Sequence, residues 1–201
     1  HKNFAYHRQF EYVVIFSASL HTLDKKLGIP DEQLIAGFDE EKLTKQLKIV
    51  KDQNHRALFI FDDVVASIKR GMTSFQKLVW NRRHQGKGIS VMLVSQRLNA
   101  IPLELRSAAT GLFFFASKNQ TELEVLRKEF FGLNDKEFQE ILRHVFREKY
   151  DFLYLNLATS DEKMIHRNFN QLNVQRPGHK PLPETEEDTE RPKPDASDDA
   201  S

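Results

Sequence analysis

Two adjacent carboxylates at the end of an apolar run, Leu58-Phe59-Ile60-Phe61-Asp62-Asp63, are the residues best suited to chemistry in this sequence. Magnesium takes oxygen ligands and keeps several of its waters, so one carboxylate at the mouth of a buried strand can hold it directly or through water. A second acid beside it can orient an attacking water or accept its proton. Asp62 suits the first role and Asp63 the second, although an aspartate leaving a strand also serves as an ordinary turn or helix cap. A second apolar run, Ile89-Ser90-Val91-Met92-Leu93-Val94, ends in Ser95-Gln96-Arg97. The Gln96 amide both donates and accepts, so it can bridge a phosphate oxygen and a water, or simply face a loop. Before that run lies a basic turn containing glycine, Asn81-Arg82-Arg83-His84-Gln85-Gly86-Lys87-Gly88. The rigid guanidinium fork of Arg83 suits neutralisation of charge on a phosphate. A solvated loop or a DNA contact suits Arg82, Arg83 and Lys87 equally. No second His, Cys or acid follows His84 at zinc spacing, and no zinc site is expected.

The elements that must carry these residues alternate along the chain. Tyr12 to Phe16, Ala57 to Phe61, Ile89 to Val94, Gly111 to Ala116 and Phe152 to Leu157 are short, apolar and rich in β-branched or aromatic residues, and read as strands. Most are apolar on both faces, as strands of a parallel sheet covered by helices are. Helices are expected over Asp39 to Val50, with Leu43, Leu47 and Val50 inward, and over Thr73 to Arg83, with Phe75, Leu78 and Val79 inward. Thr121, with Glu124 three residues on, has the pattern of a capping box opening a third helix. A fourth is expected over Asp135 to Glu148, with Phe138, Ile141, Leu142 and Val145 on one face. This order predicts an α/β fold whose strand ends form the ligand edge.

The 201 residues suffice for one domain and a tail. With no cysteine, disulfides and thiolate metal sites are excluded, and a reducing intracellular setting is the default expectation. The apolar runs are too short to span a bilayer and the start has no signal-peptide pattern, so a soluble protein is expected. His1 in place of Met points to a processed or incomplete chain. The boundary falls near Gln175-Arg176-Pro177-Gly178, giving a body over 1–176 and a disordered tail over 177–201. Five of the seven prolines lie from Pro177 onward and no aromatic residue follows Phe169. Eight acids against two bases from Pro181 onward leave the tail at −6 and residues 1–180 at +7, within a net charge of +1. A basic body suits a polyanionic partner through counterion release, or is an ordinary basic surface. The tail is a solubilising appendage or an acidic mimic of nucleic acid that competes for the body.

Taken in order, Tyr6-His7-Arg8, Tyr12-Val13-Val14-Ile15-Phe16-Ser17, Asp62-Asp63, Arg83-His84, Gln96, Ile101-Pro102 with Leu105-Arg106, and Gly111 to Ala116 resemble the FtsK/HerA class of DNA-pumping ATPases. More closely, they resemble the poxvirus-type genome-packaging ATPases of large double-stranded DNA viruses. The pattern covers roughly Tyr6 to Phe169. It implies a RecA-like three-layer P-loop NTPase core with a mainly parallel sheet, a homo-oligomeric ring, and ATP hydrolysis that moves double-stranded DNA into a capsid. Such a protein belongs in the virion or the viral factory of the host cytoplasm, with the capsid or portal vertex as a partner and no membrane. By resemblance, Asp62 is the Walker B acid that holds Mg²⁺ and Asp63 the water-polarising acid. Gln96 becomes the sensor, Arg83 the inter-subunit finger, and Arg106 a second candidate for a phosphate, DNA or neighbour contact. Many members carry Glu where Asp63 stands, one methylene longer.

One departure is larger. A G-x-x-x-x-G-K-[ST] loop, which cradles the phosphates with backbone amides and a lysine, is absent from these residues. The resemblance places that loop and its strand before Tyr12, so the chain is expected to be N-terminally incomplete, to lack a central strand, and to be inactive alone. The competing expectations are a catalytically inactive RecA-like module that binds DNA or capsid, and a cellular FtsK/HerA-type DNA pump.

Overall fold

A computed structural model describes residues 9–22, 28–68, 72–160 and 163–172. The expected tail over 177–201 and the Tyr6-His7-Arg8 segment lie outside the described residues. Four strands form a parallel sheet in the order β2-β1-β3-β4: β1 (Tyr12–Ser17), β2 (Leu34–Ala36), β3 (Ala57–Asp62) and β4 (Ile89–Val94). Its register sets Ser17 beside Asp62 and Asp62 beside Val94, so three strands end level with one another. A second, antiparallel sheet has the order β5-β6-β7-β8: β5 (Gly111–Phe115), β6 (Phe152–Asn156), β7 (Ile165–Arg167) and β8 (Asn170–Gln171).

The antiparallel pairing of β5 with β6 departs from the single parallel sheet expected of the five apolar runs. A lone helix between two strands returns the chain to the starting edge and gives a parallel pair. Here two helices intervene, α5 (Gln120–Leu126), extended by a π turn over Arg127–Phe131, and α6 (Asp135–Val145). Two reversals bring the chain into β6 from the end where β5 finished.

Helix starts follow local capping chemistry. Asp39 accepts from the Lys42 N–H at 3.0 Å and opens α1 (Glu40–Asp52), which turns Leu43, Gln46 and Val50 inward. Buried Gln46 is satisfied at both ends, accepting from the Tyr12 hydroxyl at 2.6 Å and donating to the Glu32 carbonyl at 2.8 Å. Asn134 and Glu137 form a capping box at α6, whose inward residues are the four expected. At α5 the cap is Asn119, which accepts from the Thr121 and Glu122 N–H groups, and not Thr121. The shorter Asx turn reaches both free amides, which moves the start upstream. The short helices α2 (Val65–Ile68) and α4 (Leu103–Ser107) and the longer α3 (Met72–Asn81) complete the set.

Two hydrophobic cores result. Val14, Phe16, Phe59, Phe61 and Ile89 pack with Leu43 and Val50 of α1 and with Phe75 and Leu78 of α3. Phe114, Leu153, Leu155 and Ile165 pack with α5 and α6. Side chains alternate across a strand, so all these strand residues share one face of their sheets. Among the described residues neither core draws a residue from the opposite face, where Ile15, Ser17 and Leu58 are buried but Met92, Val94, Phe113 and Phe115 are exposed. Among the described residues β4 pairs only with β3 and β5 only with β6. A cavity of about 170 Å³ lies where both open edges meet, lined by Val91, Leu93, Gly111 and Leu112 with Arg106 and Phe130.

The second sheet is pinned by Asp151, buried at the start of β6. Its carboxylate accepts from the Arg147 and Glu148 N–H groups at 3.0 and 2.8 Å, from Arg167 at 2.9 Å and from the Asn168 amide at 2.9 Å. The Asn168 bond foremost, then the Glu148 N–H, hold this carboxyl well below the usual carboxylate range. With the folded value depressed, the stabilisation is complete above the unfolded value of 3.8 and is lost as pH falls below it. Asp151→Asn is therefore expected to lower the thermal midpoint at neutral pH, and the gap to wild type to close as pH drops below about 4. A gap of constant size over that range would contradict this reading of the site.

Candidate functional site

The carboxyl ends of β1, β3 and β4 form one edge, and three of the candidate residues, Asp62, Asp63 and Gln96, gather there. Asp62 ends β3 half-buried, and its Oδ2 accepts from the Ser17 hydroxyl at 2.8 Å. Asp63 follows with φ of 54°, in the left-handed region that Asp tolerates better than most residues. Its N–H still donates to the Val94 carbonyl at 3.2 Å, which extends the β3–β4 pairing by one residue. That bend lets the Asp63 carboxylate leave the strand and meet Gln96, whose Nε2 donates to Oδ2 at 2.9 Å. Asp63 and Gln96 are exposed, so both are accessible to a ligand at this edge.

The donor set fits magnesium in part. Asp62 Oδ1 and Asp63 Oδ1 meet no donor among the described residues, while Ser17 Oγ and Gln96 Nε2 take the other oxygen of each carboxylate. No cluster of three or more His, Cys, Asp or Glu able to hold a metal occurs among the described residues. A cation here would therefore depend on waters and on a ligand's oxygens, which is how magnesium at phosphate sites is bound.

The two arginines stand apart from this edge. Arg83 lies in the turn that enters β4, at the amino ends of the strands, about one strand length or roughly 17 Å from Gln96. That turn is fixed to the sheet by Glu11, which accepts from Lys87 Nζ at 2.7 Å and from the Arg56 N–H at 2.9 Å. The Lys87 bond first, then the Arg56 N–H, pull the Glu11 carboxyl down to about 2. Gly86 in the same turn has φ of 54°, and a Cβ there would fall 2.4 Å from the His55 carbonyl oxygen, so only glycine fits. Arg83 itself is exposed and has no partner among the described residues, free to meet another molecule. Arg106 is committed internally instead. Its guanidinium pairs with both oxygens of Glu129, Nε donating at 2.7 Å, and Nη1 donates to the Ile101 carbonyl. This bridge ties α4 to the π turn after α5.

Ser17 carried no functional expectation from sequence, yet it is fully buried and bonded to Asp62. The available signal was that β1, like β3 and β4, closes an apolar run with a polar residue.

No family model matches the sequence, and no curated protein matches it. Solved structures do. The genome packaging NTPase B204 from Sulfolobus turreted icosahedral virus 2 in complex with ATP-gammaS superposes with a TM-score of 0.57 at 14% identity, over 83% of this chain and 85% of that one. The same protein in complex with sulfate gives 0.60 at 15% identity, over 84% and 86%. B204, the DNA-packaging ATPase from Sulfolobus Turreted Icosahedral Virus, gives 0.59 at 16% identity, over 85% of each chain. At such identities the likeness is one of fold. The chain carries a RecA-like α/β fold built on a four-stranded parallel sheet.

Proposed function

We propose that this chain is the Walker B and sensor portion of an ATP-driven motor that packages double-stranded viral DNA into a capsid. The observation that carries the reading is the convergence of Asp62, Asp63 and Gln96 at the carboxyl edge of a parallel sheet, the edge where ligands of such sheets bind. The fold shared with packaging NTPases supports the choice of nucleotide and cargo. Asp62 would hold Mg²⁺, which would supply charge neutralisation on the phosphates. Asp63 orients the attacking water and takes its proton, and Gln96 senses the γ-phosphate while its bond to Asp63 keeps the two groups in register. Arg83 reaches into the site of a neighbouring subunit in a homo-oligomeric ring, where its charge meets the transferring phosphate.

The phosphate loop comes from polypeptide outside these 201 residues, entering as a strand between β4 and β5. Both edges there are open among the described residues and flank the shared cavity. The crossovers β2 to β3 and β3 to β4 advance in one direction, with α1 and α3 on one face. A strand beyond β4 that leads forward into β1 moves the opposite way. The right-handed rule then puts its helix on the opposite face, over Met92 and Val94. Parallel sheets are covered on both faces, and this arrangement would cover the part of that face around Met92 and Val94 that is exposed among the described residues. No helix among the described residues is long and apolar enough to cross a membrane.

The test is Mg²⁺-dependent ATP hydrolysis by the native polypeptide with and without duplex DNA. Turnover is expected to rise several-fold with duplex, and the stimulation to weaken with salt as counterion release predicts. Salt-sensitive duplex binding without hydrolysis is the outcome for an inactive DNA-binding module, and would reject the motor.

A further inference from the structure

We infer that Ser17 is a positioning residue that sets the rotation of the Asp62 carboxylate and thereby presents Oδ1 to the cation, an inference that rests on the reading of Asp62 as the metal-holding acid. Ser17 is the last residue of β1 and stands in direct register with Asp62 across the parallel pair. Its side chain is fully buried, whereas Asp62 is half-exposed. A hydroxyl has one proton to give and two lone pairs to fill. The Ser19 N–H donates into the Ser17 oxygen at 3.1 Å, and Ser19 Oγ stands 3.3 Å away. An ionised carboxylate can only accept, so the bond of 2.8 Å to Asp62 Oδ2 takes the Ser17 proton.

The consequence follows from torsional freedom. The terminal torsion of an aspartate is broad and roughly two-fold, so nothing intrinsic to Asp62 decides which oxygen faces outward. Ser17, anchored by the pairing of β1 with both β2 and β3, does decide it. Oδ2 is tethered toward the sheet and Oδ1 remains with no donor among the described residues. Partners behind a ligating carboxylate are worth about 10- to 100-fold in metal affinity when removed. A serine that merely satisfied the strand end would leave metal affinity untouched when replaced.

Mn²⁺, a hard oxygen-seeking dication, is the probe, titrated together with a non-hydrolysable ATP analogue against the folded native polypeptide and read by the paramagnetic resonance of the protein-bound ion. Ser17→Ala is expected to weaken Mn²⁺ binding about tenfold, Ser17→Thr to keep it near wild type by keeping the hydroxyl, and Asp62→Asn to remove it. In the double variant, adding Ser17→Ala to Asp62→Asn should change nothing further. Should Ser17→Ala fail to fold, the near-isosteric Ser17→Cys, a weak donor, carries the same expectation. Mn²⁺ binding within twofold of wild type in the alanine or cysteine variant, with Asp62→Asn still deficient, overturns the role of Ser17 alone. Binding unaffected by Asp62→Asn, or absent from wild type, overturns the metal reading of Asp62 and this inference with it.

Discussion

Asp62→Asn is expected, on the proposed function, to lower ATP turnover by the native polypeptide by about 100-fold or more, the scale for removing one preorganised electrostatic group from a reacting phosphate. Asparagine keeps the shape of aspartate and can still accept from Ser17 through its carbonyl oxygen, so the bond at the end of β1 survives. The loss is of charge. An amide holds magnesium far less well than a carboxylate, and phosphate oxygens at this edge would then face Asp63 without a cation between them. Because Asp62 is only half-buried, unfolding free energy should change by less than about 1 kcal/mol. Steady-state hydrolysis paired with urea unfolding checks both halves. Retained turnover in a folded variant would remove Asp62 from the site.

Phe61→Ala is expected to cost about 3–5 kcal/mol, the range for deleting a large aromatic from a packed core. Phe61 is fully buried, stacks on Phe16 with centroids 4.9 Å apart and meets the edge of Phe75 at 4.6 Å. Its ring thus clamps β1, β3 and α3 one residue before Asp62. Against a total stability of roughly 5–15 kcal/mol, the loss is about a fifth or more of what holds the domain together. Urea unfolding should show a lowered midpoint with an unchanged slope. Turnover at temperatures where the variant remains folded should also fall, since β3 no longer sets Asp62 firmly. A loss below about 1 kcal/mol would mean that the three elements do not share this ring as a common anchor.

Much of the candidate site was legible because it depends on strand ends. Apolar runs identify β1, β3 and β4, and the first polar residues after β3 and β4 must emerge at one edge if those strands are parallel, which brings Asp63 and Gln96 together. The contact of Asp62 with Ser17 was not legible. It depends on register between strands 45 residues apart, and nothing in a single run fixes which residues stand opposite. Arg106 illustrates the same limit. Its partner Glu129 lies 23 residues away on another element, so sequence shows an available arginine where the fold has an occupied one. The three-residue strand β2 carries too few residues for a period to be read. The second sheet was misassigned because β5 and β6 have the same apolar character as parallel strands, while pairing direction follows from the number of helices between them.

On the proposed function, Asp62, Asp63 and Gln96 form the magnesium and water side of an ATP site completed by a strand between β4 and β5. A structure of the native polypeptide with Mg²⁺ and a non-hydrolysable ATP analogue tests it most directly. The γ-phosphate is expected at the carboxyl ends of β3 and β4, within hydrogen-bond reach of Gln96, with a phosphate loop rising from a strand paired to both β4 and β5. A nucleotide seated elsewhere, or β4 and β5 unpaired on their open edges in the native polypeptide, would contradict it.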